Sequence, residues 1–192
     1  IVAAKRQNPV WTCRFIVICL SCKGKVGRSA SRSPAPFPVS KENMKNRTYD
    51  FLVLGGGSAG YAAARTAHDL GLSTAVVDGA AELGGLCILR GCMPSKTLIE
   101  SSNRYRSMRR ASEFGLRSGN TEVHIDEIIA RKRRLIGEFA EYRQGQLTDG
   151  RFDLHRGRGI FSGTHSVTVR PLDGSPDYEL KFRSGFIATG SR

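Results

Sequence analysis

The chain has 192 residues, of which 40% are hydrophobic and 22 are glycine, and its formal net charge is +13 at pH 7. This composition argues against an intrinsically disordered chain and favours one globular α/β domain with a tail. No run of 18 apolar residues occurs, so we expect no membrane-spanning helix and no membrane partner.

The first 43 residues form a basic leader, with eight Lys or Arg residues and one acid. Residues 29–40 are rich in Ser, Pro and Arg, which is typical of a linker or a disordered segment. Because the first methionine is Met44, we interpret residues 1–43 as foreign to the native protein and residues 44–192 as the folded domain. The location expected on this interpretation is the cytoplasm. The alternative is an organellar transit peptide, since such segments are rich in Arg and Ser and poor in acids.

Three of the five cysteines lie in this leader, at Cys13, Cys19 and Cys22. Cys19-x-x-Cys22 could be half of a zinc site, but no second Cys or His pair lies at a suitable spacing, so we expect no metal site. Beyond the leader the basic residues are scattered, apart from the run Arg131–Arg134, which we interpret as the solvated face of a helix. We therefore expect no nucleic-acid partner. A basic nucleic-acid-binding module is the alternative, and its DNA binding would depend steeply on salt.

A glycine-rich turn follows the first apolar run of the domain. Residues 51–54 predict a short buried strand, and residues 55–60, GGGSAG, fit the pattern G-x-G-x-x-G. A helix is expected next, ending near Gly71, and then a second strand over Thr74–Val77 that ends in Asp78. This order predicts a Rossmann-like dinucleotide-binding fold. The residues expected to line the dinucleotide here are Gly55, Gly57, Ser58, Ala59, Gly60 and Asp78.

These residue types each have a physical role beside a dinucleotide. Gly55 permits a tight turn, Gly57 lets a pyrophosphate approach the backbone, and Gly60 lets the helix pack close to the sheet. The helix N-terminus offers unpaired N–H groups to the phosphates. Asp78, which follows Gly60 by 18 residues, can accept hydrogen bonds from ribose hydroxyls. The alternative is a glycine-rich turn of an unrelated α/β protein, and the pattern alone does not distinguish NAD from FAD.

Two cysteines with four residues between them, Cys87 and Cys92, could be a structural disulfide, two inert thiols or a redox pair. A disulfide across so short a loop removes little entropy from the unfolded chain. On a straight helix their Cα atoms would lie about 7.5 Å apart, beyond disulfide reach, so the segment must bend, which Gly91 permits. Pro94 suits the first turn of a helix and so places Cys92 at the N-terminus, where the dipole and Lys96 lower the pKa of a thiol. After a dinucleotide fold, we favour the redox pair over inert thiols.

The segment 84–96, GGLCILRGCMPSK, resembles the redox-active signature G-G-x-C-x-x-x-x-G-C-x-P-[ST]-K of the class I pyridine nucleotide-disulfide oxidoreductases. That family includes dihydrolipoamide dehydrogenase, mercuric reductase and glutathione reductase. The resemblance implies that the dinucleotide is FAD, that Cys87 is the interchange thiol and that Cys92 is the charge-transfer thiol beside the flavin. Leu86 stands where the family usually has Thr, which removes one hydroxyl near the cofactor. The residues that the resemblance places at FAD here are Gly85, Leu86, Cys87, Gly91, Cys92 and Lys96.

The remainder of the chain predicts two helices, over Thr97–Met108 and Ile125–Leu147, and then four short strands. The strands are expected at Phe152–His155, Gly159–Phe161, Ser166–Arg170 and Tyr178–Phe182. In the family such a meander precedes a second flavin motif, which residues 187–190, IATG, resemble. The resemblance therefore adds Thr189 and Gly190, and Gly157 at the adenine end, to the residues that line FAD.

The resemblance covers residues 49–192, whereas the family continues into an NAD(P)-binding domain and a dimerisation domain with a His–Glu acid/base pair. We therefore interpret residues 44–192 as the N-terminal FAD-binding domain, an incomplete Rossmann-like α/β fold with a parallel sheet and a small antiparallel β-meander. The implied function is that of an NAD(P)H:disulfide oxidoreductase that acts on a small dihydrolipoamide-like disulfide or dithiol and forms a homodimer at full length. From this portion alone we expect no complete turnover. The alternatives are reduction of a soft metal ion, as in mercuric reductase, and a flavoprotein without disulfide chemistry.

Overall fold

The computed structural model describes residues 47–191 and, for the backbone alone, residues 19–20. A strand, a helix and a second strand come first, helices follow, and strands come in succession in the last part, as expected. The elements are β1 (Cys19–Leu20), β2 (Thr48–Leu54), α1 (Ser58–Asp69), β3 (Thr74–Asp78), α2 (Gly85–Leu89), α3 (Cys92–Arg109), a 3-10 turn (Ala111–Phe114), α4 (Ile125–Thr148), β4 (Asp153–Gly163), β5 (Ser166–Pro171) and β6 (Tyr178–Ile187).

A parallel layer of four strands, in the order β6-β2-β3-β4, forms the centre of the fold. Its two middle strands are apolar runs, because helices cover one of their faces and the meander covers the other. All five residues of β3 are buried, and so is the second half of β2. The carboxyl ends of these strands share one edge of the sheet, where ligands of open α/β folds bind.

The meander is built from long strands that continue out of the parallel layer. One end of β4 pairs with β3, and its other end pairs antiparallel with β5; β6 is shared in the same way between β2 and β5. The two short strands expected over 152–155 and 159–161 are therefore one strand, and that prediction was wrong. Gly157 lies between the two predicted strands but does not end the strand. Its lack of a side chain lets β5 approach closely, since a Cβ atom there would lie 2.6 Å from the Arg170 carbonyl oxygen.

Two apolar cores lie on opposite faces of the parallel layer. One fills the space between the layer and the meander, and the other lies under α1 and α4. The first contains Tyr49, Leu52, Leu54, Ala75, Val77, Val167, Val169, Leu180 and Phe182. The second contains Val53, Tyr61, Ala64, Val76, Leu147 and Phe152. The helices α1 and α4 are thereby held against the sheet. The N-terminus of α1 and the C-terminal part of α4 lie near its carboxyl edge.

The helices agree with the sequence in position more than in length. α1 ends at Asp69, and Gly71 follows with a φ of +78°, which confirms the expected glycine stop. The helix α3 begins at Cys92, which confirms the helix N-terminus that Pro94 predicted there, and it continues through the predicted range Thr97–Met108 without a break. The helix α4 covers the predicted range. Within the described part of the chain, no helix combines the length and apolar content that crossing a membrane requires.

Two residues of the leader belong to the sheet. Cys19 and Leu20 pair antiparallel with Phe186 and Gly185 and extend the edge at β6. Because an edge strand has unpaired backbone groups, it can accept such an added strand. This differs from the expectation that residues 1–43 stand apart from the fold. The other expectations about the leader, including those for Cys13 and Cys22, lie outside the described residues.

A buried chain of hydrogen bonds connects the parallel layer to the meander. His155 is 2% exposed, and its Nδ1 and Nε2 atoms lie 2.9 Å from the Tyr178 hydroxyl and 3.2 Å from the Tyr49 hydroxyl. The Tyr49 hydroxyl donates to Asp153 Oδ2 at 2.7 Å, so its oxygen accepts from His155 Nε2–H and His155 Nδ1 accepts from Tyr178. This arrangement needs a neutral imidazole, and burial lowers the pKa of His155 to about 4 although the Asp153 carboxylate opposes the shift.

The buried imidazole predicts a stability that depends on pH. Because the folded pKa of about 4 lies below the pKa of 6.5 of an imidazole in the unfolded chain, His155 stabilises the folded state fully above pH 6.5, and this contribution is lost as the pH falls towards 4. Between pH 7 and pH 4, the free energy of unfolding should fall by about 3 kcal/mol more in the natural chain than in His155→Gln, whose amide does not titrate. Denaturant unfolding measures both losses. Equal losses in the two proteins would contradict the prediction.

Candidate active site at the carboxyl edge of the sheet

The glycine-rich turn after β2 is as tight as its sequence predicts. Gly55 has a φ of +102°, and a Cβ atom on it would lie 2.3 Å from the Ala188 carbonyl oxygen. A Cβ atom on Gly60 would lie 1.7 Å from the Gly55 carbonyl oxygen, so α1 packs directly against the turn. The first helical hydrogen bond runs from Tyr61 N–H to the Gly57 carbonyl. The amides ahead of Tyr61 in the first turn therefore have no acceptor within the helix.

Asp78 fastens this turn to the end of β3. Its side chain is 8% exposed, and its two carboxylate oxygens accept from Gly56 N–H at 2.6 Å and from Ala80 N–H at 2.8 Å. Arg156 on the neighbouring strand β4 lies 3.3 Å from the same carboxylate. Arg156 could not be found from the sequence, because only the register of β3 with β4 brings together residues 78 positions apart. The hydrogen bond expected from Asp78 to a ribose stays a prediction.

The second glycine pair brings the cysteine segment to the same place. Gly84 and Gly85 both have positive φ angles, 131° and 74°, and a Cβ atom on Gly85 would lie 2.6 Å from the Cα atom of Gly57. The two glycine segments are therefore in backbone contact. This contact puts backbone without side chains beside the N-terminus of α1, which is what a close approach by a diphosphate requires.

The expected bend between the cysteines is confirmed. The short helix α2 ends at Leu89, Arg90 leaves the helical conformation with a φ of −140°, and α3 begins at Cys92. Gly91 is needed at the bend, since a Cβ atom there would lie 3.1 Å from the Leu86 carbonyl oxygen. Both cysteines are thiols in this structure, with Cys87 half-buried and Cys92 exposed.

The two thiols differ in acidity, and the pKa of Cys92 shifts in the direction opposite to the one expected. Hydrogen bonding from Cys92, and to a smaller degree from Ser58, lowers the pKa of Cys87, and the charge of Lys96 adds to this. The pKa of Cys92 is raised, because it donates to Cys87 and lies beside the thiolate that forms first. The expectation that the helix N-terminus and Lys96 lower the pKa of Cys92 is therefore wrong for the reduced pair. Lys96 does lower it, but the neighbouring sulfur has the larger effect.

The other predicted site residues also lie along this edge. Ala188 N–H donates to the Leu54 carbonyl, which sets Thr189 and Gly190 beside the glycine-rich turn, both exposed. Gly157 follows Arg156, the partner of Asp78 in the parallel register, and so lies at the end of β3. Its lack of a side chain is explained by packing against β5, and its contact with adenine stays a prediction. The exposed residues at this edge are Ser58, Ala59, Leu86, Cys92, Lys96, Thr189 and Gly190.

Fold and site together define a dinucleotide-binding α/β protein that carries a dithiol at the carboxyl edge of its sheet. The chain belongs to the pyridine nucleotide-disulphide oxidoreductase family, whose model matches residues 49–192. The expected family, fold class and enzyme class are therefore confirmed, and members of the family use FAD together with NAD(P). Within residues 47–191, no group of three or more His, Cys, Asp or Glu side chains is arranged to hold a metal ion.

Relatives of known name agree with this assignment. The chain is 34% identical over 151 residues to a dihydrolipoyl dehydrogenase of Bacillus subtilis, covering 75% of this chain and 32% of the relative. It is 29% identical over 185 residues to the mitochondrial dihydrolipoyl dehydrogenase of Schizosaccharomyces pombe, covering 93% of this chain and 35% of the relative. In fold it is similar to the Cu(II) complex of the HOCl-induced flavoprotein disulfide reductase RclA from Escherichia coli, with a TM-score of 0.60, 24% identity, and coverage of 76% and 29% of the two chains. The chain thus spans about a third of the length of these relatives.

Proposed function

We propose that this chain is the FAD-binding part of an NAD(P)H:disulfide oxidoreductase whose Cys87–Cys92 pair exchanges electrons with a small disulfide or dithiol of the dihydrolipoamide type. The observation that carries the proposal is the contact between the two glycine segments. It brings backbone without side chains, a helix N-terminus and the dithiol together at one edge of the sheet. The homology to dihydrolipoyl dehydrogenases supports the substrate class.

The residues at this edge fit FAD in shape and in charge. Because Gly57 and Gly85 carry no side chains, a diphosphate could approach the backbone there, and the first-turn amides of α1 would donate to it. The exposed backbone at Thr189 and Gly190 would lie along the rest of the cofactor, and Lys96 would bring a positive charge near the flavin. When bound, FAD would supply two-electron exchange between a nicotinamide and the dithiol.

In the proposed exchange, the Cys87 thiolate attacks one sulfur of the substrate disulfide, and the first substrate thiolate leaves and takes up a proton. Cys92 then loses its proton and attacks Cys87 Sγ, so that the mixed disulfide breaks and the second substrate thiol leaves with that proton. The substrate gains two electrons and two protons, which the dithiol loses as the Cys87–Cys92 disulfide forms. The lowered pKa of Cys87 supports its role as the attacking thiol, and the neutral Cys92 can act second.

Other assignments remain as proposals. Reduction of a soft metal ion would use the same two sulfurs, and a flavoprotein without disulfide chemistry would bind FAD while its thiol content stayed constant on reduction.

A homodimer at full length is proposed from the family resemblance. For the compartment, the cytoplasm and an organelle are both proposed. The alignment with the mitochondrial relative covers 93% of this chain, so it includes residues ahead of Met44. This supports the organelle. The location of a fluorescent protein fused after residues 1–43 distinguishes them.

FAD binding is tested with Gly57→Ala in the full chain. A Cβ atom on Gly57 would meet only the Cα atom of Gly85, at an ordinary contact distance of 3.6 Å, so the fold should keep its stability. The same methyl group would occupy the space of a diphosphate, so the Kd for FAD should rise about tenfold or more, a loss of roughly 1.4 kcal/mol. Titration of FAD, followed by its absorption and fluorescence, measures the Kd. The control is Gly119→Ala, at an exposed position with nothing within 4 Å. No FAD binding by the natural chain, or equal binding by both variants, would exclude this site.

A further inference from the structure

We infer that the groove between α4 and the segment 82–90, which contains α2, is a docking surface for an acidic, amphipathic peptide segment of a partner protein. The groove has a volume of about 420 Å³ and is lined by Glu82, Leu89, Arg90, Lys132, Arg133, Ile136, Gly137 and Ala140. Only the purpose of this surface, beside the dithiol, rests on the proposed function. The binding itself needs neither FAD nor a disulfide.

One wall of the groove belongs to the segment that joins the two cysteines. Leu89 is the last residue of α2 and Arg90 is the bend that follows it, so both lie between Cys87 and Cys92 in the chain. Arg90 pairs at 3.7 Å with Glu82, which also lines the groove. A peptide bound here would therefore contact the residues that connect the two thiols.

The basic run 131–134 on the opposite wall divides into two pairs. Lys132 and Arg133 line the groove, and neither side chain has a hydrogen-bond or ion-pair partner among the described residues. Arg131 and Arg134 do not line it, and both are already engaged: Arg131 donates to a carbonyl of α3 at 3.4 Å, and Arg134 pairs with a carboxylate of its own helix at 2.7 Å. The two cations that are free to hold an anionic ligand are thus the two at the groove.

The groove combines apolar and basic groups. Leu89, Ile136 and Ala140 are half-buried apolar residues, and Gly137 adds no side chain, with nothing within 4 Å of where its Cβ atom would stand. Three cations and one carboxylate line the groove, which gives a net charge of +2. Apolar side chains of a bound segment would pack on the apolar residues, and its carboxylates would pair with the cations.

The shape of the groove fits a peptide better than a small molecule or a nucleic acid. Residues 132–140 extend about 12 Å along α4, the length of about three to four extended residues. Arg90, Arg133 and Gly137 are exposed, so the groove is open to solvent, whereas small-molecule sites enclose most of the ligand. Single-stranded nucleic acid binds by stacking on aromatic rings, and the described residues that line the groove include no aromatic residue.

The test is the fluorescence anisotropy of a short labelled peptide in which Glu and Leu alternate, titrated with the full chain. The double variant Lys132→Gln/Arg133→Gln should raise the Kd about tenfold, because the peptide carboxylates lose two cations. The matched control, Arg131→Gln/Arg134→Gln, removes the same charge from the same run and should stay within about twofold. A peptide in which Glu and Ser alternate should bind at least about fivefold more weakly, because it has no apolar side chains.

Gly137→Leu tests the groove without a change of charge. The added side chain would fill the groove, so the Kd for the Glu/Leu peptide should rise about tenfold or more. The fold should keep its stability, because the position is open and leucine is favoured over glycine in a helix. Gly145→Leu is the matched control: it is equally open, on the same helix and outside the groove, so it should bind as the natural chain does. Denaturant unfolding checks that both variants are folded.

The inference is overturned if the natural chain does not bind the Glu/Leu peptide. Equal losses in the two charge variants, or equal binding of the two peptides, would also overturn it, because the basic chain would then attract any acidic peptide. Displacement by single-stranded DNA, with the same loss in Lys132→Gln/Arg133→Gln, would assign the groove to nucleic acid instead. A dimer in sedimentation that Gly137→Leu converts to a monomer would assign it to a second copy. Since the probe contains neither flavin nor sulfur, failure of this inference and failure of the proposed function are measured separately.

Discussion

Replacing Cys87 by serine is expected to abolish the gain of thiols at the Cys87–Cys92 pair when the oxidised chain is reduced. In the natural chain, mild oxidation should join Cys87 to Cys92, and reduction should then release two thiols from this pair. Either single replacement, Cys87→Ser or Cys92→Ser, leaves one sulfur without a partner, so the gain at this site should fall from two thiols to none. The bend at Gly91 is the structural reason to expect the bond, since it removes the straight-helix separation that would keep the sulfurs apart.

The measurement is alkylation of oxidised and reduced chains with reagents of different mass, followed by peptide mapping. Mapping is needed because Cys13, Cys19 and Cys22 also contribute thiols. Cys22→Ser is the control, and it should leave the gain at the Cys87–Cys92 site unchanged. A natural chain whose two site cysteines stay reduced under conditions that oxidise glutathione would argue for a flavoprotein without disulfide chemistry.

Gly60→Ala is expected to have the largest effect on the fold. The added Cβ atom would lie 1.7 Å from the Gly55 carbonyl oxygen and 3.1 Å from Val53, so α1 would have to move away from the end of β2. The obstacle is backbone, which cannot rotate aside as a flexible side chain can. We expect the free energy of unfolding to fall by about 3 kcal/mol, at the upper end of overpacking costs, and FAD binding to be lost with the turn geometry.

Gly145→Ala is the matched control for this variant. Gly145 lies inside α4, and nothing stands within 4 Å of where its Cβ atom would be. The same chemical change should therefore stabilise the chain by up to about 1 kcal/mol, because alanine loses less backbone entropy than glycine in a helix. Denaturant unfolding of the two variants should give changes of opposite sign. If Gly60→Ala is as stable as the natural chain, the close packing of α1 on the turn is not real.

The motifs at the site were readable because each depends on residues close together in the chain. Three local features are examples: the turn that needs a glycine with positive φ, the helix that starts after it and the bend at Gly91. Each depends on residue types that the sequence shows directly. The same applies to the glycine stop at Gly71 and to the range of α4. The locations of β4 and β6 were also found, but their lengths were not, because a strand that continues from the parallel layer into the meander has no local signal where its partner changes.

By itself, then, the sequence determined the strand–helix–strand order of the first part, the glycine-rich turn and the presence of a cysteine pair after it. Tertiary structure alone decided the contacts among distant residues: Arg156 on Asp78, Arg143 on Tyr61, and His155 between Tyr49 and Tyr178. It also decided the acidity of the thiols, where the hydrogen bond between the sulfurs has a larger effect than Lys96. The physical reason is that hydrogen bonds, burial and charge act through space, and folding brings together groups that are 78 or 106 residues apart.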